Sequence, residues 1–386
     1  MKKNVLGIAL AAVLALGNGM AVRAEGPASS YSFNKIYKLA GDCQNGAVSP
    51  AETFKFENGE DTGAVADVVK LYAVSHTKYN DSNQPNTRTE LTNLSTENAE
   101  KIPKAVETVT IGTAKYTQGA VTDKTGTTNK VTVAVPDAAA YDSVGYYYYQ
   151  FKETTGNTAG VTYDTAVKTF RVAVINGVNG FEISSVLFYT GTDVNTKTDN
   201  VTNEYSAGTL TINKVVTGNM GDKTKEFTVY VTFKAPENKE IKAPISIATT
   251  GANSPQNSAT ADIAQDKGKA SATITVKDGT TVTFTNIPKG VTYTVVETPA
   301  KGYTASYTAT SNNGNVDNTT GVTGTITTEN NNADYMEQTV TITNNKGITI
   351  DTGIFVSNLP YLLALAGIAA AALLFFAGKK RHSGED

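Results

Sequence analysis

The chain of 386 residues contains one cysteine, Cys43, two histidines, His76 and His382, and no tryptophan. A lone cysteine cannot close an internal disulfide. So few thiols and imidazoles cannot furnish a Cys/His zinc site or a Cys–His nucleophile pair, and no metal and no cofactor is expected. Neither a Gly-x-Ser-x-Gly elbow nor a His/Glu zinc motif occurs, which argues against a secreted hydrolase. Charge is sparse as well: 18 % of the residues are charged and the formal net charge is −3, which leaves no electrostatic footprint for nucleic acid. Long amphipathic helical patterns are missing between the two ends.

The ends themselves carry signals. Residues 1–24 open with Lys2 and Lys3, continue with an apolar run from Val5 to Leu16 and finish in the small residues "AVRA", the layout of a secretory signal peptide. The mature protein is therefore expected to start near Glu25 and to work outside the cytoplasm. At the other end, Leu359 to Gly378 is apolar over about 20 residues, the length that spans a bilayer as a helix. The basic "KKR" at Lys379 to Arg381 would stay on the cytoplasmic side. An exported protein without disulfides needs some other staple.

Between the ends, strand signals dominate. "EFTVYVTFKA" puts Phe227, Val229, Val231 and Phe233 on one face and Thr228, Tyr230 and Thr232 on the other, the period of two of a half-buried strand. "TFRVAVINGVNGFEISSVLFY" is two such runs joined by a Gly/Asn turn and predicts a hairpin. Thr- and Tyr-rich strands with Gly/Asn/Asp turns predict an all-β protein built of sandwiches. The stretch from His76 to about Glu100, rich in Asn, Thr and Ser, is expected to be a long surface loop. In "NEYSAGTLTINK" one strand is expected to end at Tyr205 and another to begin at Thr209, which divides the mature chain into residues 25–206 and 207–346 with a linker too short for free swinging.

Parity exposes the chemistry. In "TLTINKVV" the apolar face is Leu210, Ile212 and Val216, and Lys214 shares it; Val291, Tyr293 and Val295 continue to Glu297; Val340 and Ile342 continue to Asn344. The first half repeats the order: Lys35 lies with Phe33 and Tyr37, Glu153 with Tyr147, Tyr149 and Phe151, and Asn203 with Val201 and Tyr205. Any one of these residues could be a strand end turning to solvent, since Lys and Glu are rarely buried unpaired. Six in matching order point instead to a duplicated device.

Burial gives the trio a reaction. Desolvation lowers the pKa of a Lys and raises that of a Glu, so the pair can exist as a neutral amine beside a neutral acid. The amine is then a nucleophile, the Asn carboxamide an electrophile, and the Glu a proton shuttle to departing ammonia. The product is a Lys–Asn isopeptide bond, formed once and without turnover. Bonds between Lys35 and Asn203 and between Lys214 and Asn344 would close loops of about 170 and about 130 residues, which by the chain-entropy argument stabilise by about 4 to 5 kcal/mol each.

"GYYYYQFKE", "GVTYDTAVKTFRVAV" and "NEYSAGTLTINKVVTGNMGDKTKEFTVYV" resemble the isopeptide-containing major pilins of Gram-positive bacteria, the T-antigen or FctA type, over nearly the whole mature chain. The resemblance implies two immunoglobulin-like domains in tandem, each with a Lys–Asn bond assisted by a Glu, at the six positions just named. It also gives the C-terminal region, 347–386, a meaning. "TIDTG" at 349–353 is similar to a sortase sorting signal, with Ile350 where the common L-P-x-T-G form has proline, and implies cleavage between Thr352 and Gly353. The span at 359–378 and the basic tail at 379–386 would hold the substrate at the membrane until Thr352 is transferred. The function implied is a backbone subunit of a covalent surface fibre, anchored to the cell wall. Its partners would be a sortase, other copies of itself, minor or tip pilins and peptidoglycan.

Such a shaft needs an acceptor amine that is exposed near one end of the subunit. Lys197 in "GTDVNTKTDN" is the only lysine between Lys168 and Lys214 and lies shortly before Asn203, where the resembling family carries its linking lysine. The competing function is a wall-anchored adhesin that binds a host glycan or protein through the His76 to Glu100 stretch. It needs a binding surface and no acceptor.

Overall fold

The computed structural model describes residues 29–59, 69–71, 73–79, 85–90, 109–192, 194, 196–309, 314–317, 320–328 and 336–347. These residues are almost wholly β-structure, with two hydrophobic cores.

In the N-terminal half one sheet has the strand order Val161–Thr162, Asn200–Tyr205, Ser29–Leu39, Thr127–Val135, Val109–Ile111, Val69–Leu71. The facing sheet runs Gly180–Thr190, Lys168–Gly177, Gly145–Glu153, Ala73–Tyr79, Pro85–Glu90. In the C-terminal half the first sheet is Ser246–Thr250, Thr281–Pro288, Ala207–Thr217, Glu337–Asn345, Thr304–Ala309. Its partner runs Asp262–Ile263, Lys269–Val276, Phe227–Lys234, Thr292–Glu297, Gly321–Thr325, Gly314–Asp317.

The same placement recurs in both halves: the first long strand lies parallel to the last. Ser29–Leu39 pairs with Asn200–Tyr205, and Ala207–Thr217 with Glu337–Asn345. A parallel pair needs a long crossover between its strands. Here the crossover is the rest of that half, so the two strands form one seam where the chain enters and leaves the sandwich. The alternation read from the sequence is observed on these strands, with Leu210, Ile212, Val229, Val231, Val340 and Ile342 fully buried.

The two cores differ in chemistry. The N-terminal one is aromatic, with Phe33 packing against Phe56, Phe151 and Phe188 at 5.1 to 5.5 Å between ring centroids. The C-terminal one is mainly aliphatic, built on Val, Ile and Leu side chains with Phe227, Phe233 and Phe284 among them.

The strand Asn200–Tyr205 ends where expected, and the next starts at Ala207, so Ser206 alone separates them. The halves touch around this point. Asp42 takes a hydrogen bond from Ser206 Oγ at 2.6 Å and an ion pair from Lys289 at 2.8 Å. Asn286, in the left-handed region at φ 64°, grips Val48 by both its backbone N–H and its carbonyl, each at 3.0 Å. Cys43 is buried there, its Sγ accepting the N–H of Ala207 at 3.3 Å.

One expectation is corrected. The stretch beginning at His76 is not a long surface loop: Ala73–Tyr79 and Pro85–Glu90 pair as antiparallel strands. His76 is 4 % exposed and stacks on Tyr147 at 4.2 Å. Polar Thr/Asn/Ser composition concealed the strands because the outward faces of a sheet edge are polar. Residues 91–100 lie outside the described residues, as do the expected signal peptide at 1–24, the motif at 349–353, the span at 359–378 and the tail at 379–386.

Candidate functional site

Each half carries one buried trio, built by three strands. Lys35 and Asn203 come from the parallel seam of the first sheet, where Lys35 lies opposite Val201 and Asn203 two residues further along. Side chains two apart on a strand share a face, so both project into the core. Glu153, the last residue of Gly145–Glu153, reaches them from the facing sheet. The C-terminal half repeats the offset: Lys214 lies opposite Ile342, Asn344 is two residues on, and Glu297 ends a strand of the facing sheet. Lys35, Asn203 and Asn344 are 0 % exposed, Lys214 1 %, and the two glutamates 3 % and 4 %.

The contacts correspond atom for atom. Lys35 Nζ meets Glu153 Oε2 in a short ion pair, and Asn203 Nδ2 donates to Glu153 Oε1. Lys214 Nζ meets Glu297 Oε2 at 2.7 Å, and Asn344 Nδ2 donates to Glu297 Oε1 at 2.5 Å. One carboxyl thus bridges the amine and the carboxamide in each half. Both ammonium groups also rest on an aromatic face: Lys35 Nζ is 4.6 Å from the Phe54 ring centre and Lys214 Nζ 4.2 Å from that of Phe227.

Burial sets the protonation. Desolvation holds the Lys35 amine down to about 8, against the opposing pull of the Glu153 charge. The same burial pushes the Glu153 carboxyl up, opposed by Lys35 and the Asn203 hydrogen bond. Lys214 is lowered for the same reason, with Glu297 opposing. Moving the proton from amine to carboxyl gives an uncharged pair that suits the dry core, and that form contains the nucleophile and the acid.

Neighbouring residues are excluded by their facing. Lys38 points to the opposite side of the seam and pairs with Glu204 at 3.0 Å, and Asn345 is exposed. Lys197 belongs to neither trio. It is exposed and bridges to Tyr189 at the edge of Gly180–Thr190. Thr352 and Gly353 lie outside the described residues.

Parity reasoning missed a third buried lysine. Lys168 is 6 % exposed and ion-paired with Asp164 at 2.9 Å. It shares its strand face with Phe170, Val172 and Val174, the same signal that singled out the others.

A curated relative named Pilin, from Streptococcus pyogenes serotype M1, is 29 % identical over 267 residues, covering 67 % of this chain and 74 % of that one. The chain is thus similar to a streptococcal pilin over two thirds of its length. The solved structure of the major pilin protein T3.2 from Streptococcus pyogenes has the same fold, with a TM-score of 0.50 at 20 % identity, over 83 % of this chain and 99 % of that one. The pilus tip adhesin Cpa of Streptococcus pyogenes is 33 % identical over 97 residues, which is 25 % of this chain and only 12 % of the adhesin. Residues 208–353 match a family described as a domain of unknown function, DUF7601. Against the pilin relatives, the adhesin alternative is not favoured.

Proposed function

We propose that this chain is the structural subunit of a covalently polymerised surface pilus, with residues 25–206 and 207–346 as its shaft domains, each locked by a Lys–Asn isopeptide bond. The observation that carries the bonds is the duplicated trio: Lys and Asn two residues out of step on a parallel first-to-last seam, bridged by a Glu from the facing sheet. A cross-link at this seam ties the chain's entry to its exit in each half, so tension along a fibre passes through the bond and not through the loops. Glu153 and Glu297 are the assisting acids. The chain is not an enzyme in the turnover sense, because the reaction consumes its own side chains.

In this reading a sortase cleaves between Thr352 and Gly353 and passes the Thr352 carbonyl to Lys197 of another copy, or finally to peptidoglycan, with minor and tip pilins joined to the same fibre. The exposure of Lys197 at a sheet edge supports its place as acceptor.

Two measurements test this. The intact mass of the folded ectodomain should fall short of the sequence mass by two molecules of ammonia; a mass equal to the sequence value refutes both bonds. Cell-wall extracts should give a ladder of covalent multimers in SDS that Lys197→Ala collapses to monomer, with both ammonia losses retained. A persistent ladder in that variant assigns the acceptor to another amine.

A further inference from the structure

The two carboxamides are held differently. In the N-terminal half the oxygen, Asn203 Oδ1, accepts the backbone N–H of Asp164 at 2.9 Å. In the C-terminal half the corresponding oxygen, Asn344 Oδ1, is buried and has no hydrogen-bond partner among the described residues. The Asp164 donor is aimed by its own side chain. The Asp164 carboxylate accepts the N–H of Ala166 at 3.1 Å and is held by Lys168 Nζ at 2.9 Å, which anchors this connection to the buried start of Lys168–Gly177.

Attack by an amine on a carboxamide drives an electron pair onto its oxygen, and a donor already pointed at that oxygen stabilises the charge as it forms. We infer that the Asp164 backbone N–H is the oxyanion donor of the N-terminal cross-linking site, with Lys168 and the Asp164 carboxylate as positioning groups, and that the C-terminal site operates without one. This rests on the isopeptide reading above. In the step, the lone pair of neutral Lys35 Nζ bonds to Asn203 Cγ, and the carbonyl pair moves to Oδ1, facing the Asp164 N–H. Glu153 takes a proton from Nζ at Oε2 and gives one from Oε1 to Nδ2. The Cγ–Nδ2 bond then breaks, ammonia leaves, the oxygen pair re-forms the carbonyl, and Glu153 ends as it began. The hydrogen bond from Nδ2 to Oε1 places the leaving group on its proton source, and the Asp164 N–H fixes the amide in that orientation. At Asn344 no described residue fixes the oxygen end, which leaves Glu297 to orient and protonate.

The test is the rate of each bond in the full ectodomain. Protein made by timed cell-free synthesis is quenched in acid denaturant, and the two cross-linked peptides are counted by mass. The Lys35–Asn203 bond should form faster than Lys214–Asn344, by up to a factor on the order of a hundred, the usual worth of one oxyanion donor. Asp164→Pro, which deletes the N–H, should slow only the N-terminal bond. Should that variant misfold, as its C-terminal bond rate and melting would reveal, Asp164→Ala decides: it should slow the N-terminal bond at least tenfold, and Asp164→Asn, still able to accept from Ala166, should restore most of the rate. Equal rates for the two bonds together with an indifferent Asp164→Ala overturn the inference while leaving the isopeptide reading intact. Absence of ammonia loss in either half would sink that reading instead.

Discussion

The two halves use the same three side chains on the same strand arrangement, yet surround them with different material. The N-terminal trio sits in an aromatic core and has a backbone donor on its carboxamide oxygen; the C-terminal trio sits in a mainly aliphatic core, with Phe227 against Lys214, and its carboxamide oxygen has no donor among the described residues. What they share is the parallel seam, the two-residue offset and a Glu at the end of a strand in the facing sheet. Topology and one bridging carboxyl are therefore the common requirement. Core composition is free to vary so long as it stays dry, and refinements such as the Asp164 N–H are added locally.

The largest expected effect removes one bond at a time. Asn203→Ala and Asn344→Ala should each restore one ammonia to the mass and destabilise their own half by about 4 to 5 kcal/mol, read by guanidinium denaturation. Loops of about 170 and about 130 residues differ in closure entropy by only about 0.2 kcal/mol, so the two losses should be nearly equal even if the bonds form at different speeds. A loss confined to one variant would show that the halves are not equivalent as mechanical elements.

Removing the acid separates the halves by rate. Glu297→Ala should abolish the C-terminal bond, since Lys214 and Asn344 would lack the proton shuttle and no described residue donates to Asn344 Oδ1. Glu153→Ala should leave a slow residual reaction, because the Asp164 N–H still polarises Asn203. Time-resolved peptide mass distinguishes the two, and a full-yield C-terminal bond in Glu297→Ala would mean its role is wrongly assigned.

Most of the device was legible because period-two alternation is rigid: once a strand's apolar face is identified, a Lys or Asn on that face must be buried. Lys35, Asn203, Lys214 and Asn344 were reached that way. Lys168 carried the same signal on the face of Phe170 and Val172 but lacked a repeat in the other half to draw attention to it. The Asp164 N–H was beyond reach, since a backbone donor has no residue-type signature and its aim depends on tertiary placement. The paired strands around His76 were hidden by polar composition, and the burial of His76 against Tyr147 follows from pairing with Gly145–Glu153 across the sheet.

A pH series sharpens the chemistry at Lys35. The reactive form of the Lys35–Glu153 pair carries one shared proton, whether drawn as ion pair or as amine and acid. As pH rises through about 8 that proton is lost, leaving the amine without its acid, and the N-terminal bond should slow. As pH falls below the raised range of Glu153, a second proton binds and the amine is blocked. The rate should therefore be bell-shaped. A rate still rising above pH 9 would show that Glu153 is not needed as an acid.

The smallest effect concerns the joint. Asn286 occupies a bulge in Thr281–Pro288, where pairing with Ala207–Thr217 shifts register between Gly208 and Leu210. A bulge bends its strand and re-aims a side chain. Here the carboxamide is turned onto Val48 of the other half, where it takes the place of a neighbouring strand by bonding both the N–H and the carbonyl, and a third bond goes to the Pro244 carbonyl at 3.0 Å. Asn is among the few side chains that tolerate its positive φ. Asn286→Ala loses the bonds and adds backbone strain, for about 2 to 4 kcal/mol. Asn286→Gly loses the bonds alone, for about 1 to 3 kcal/mol. If the joint couples the halves, calorimetry should show one transition in the parent split into two in both variants, with each isopeptide bond still formed. A single unsplit transition in Asn286→Gly would mean that the remaining contacts, among them Asp42 with Ser206 and Lys289 and the Asn157–Ala159 segment with Glu240, suffice to hold the halves together.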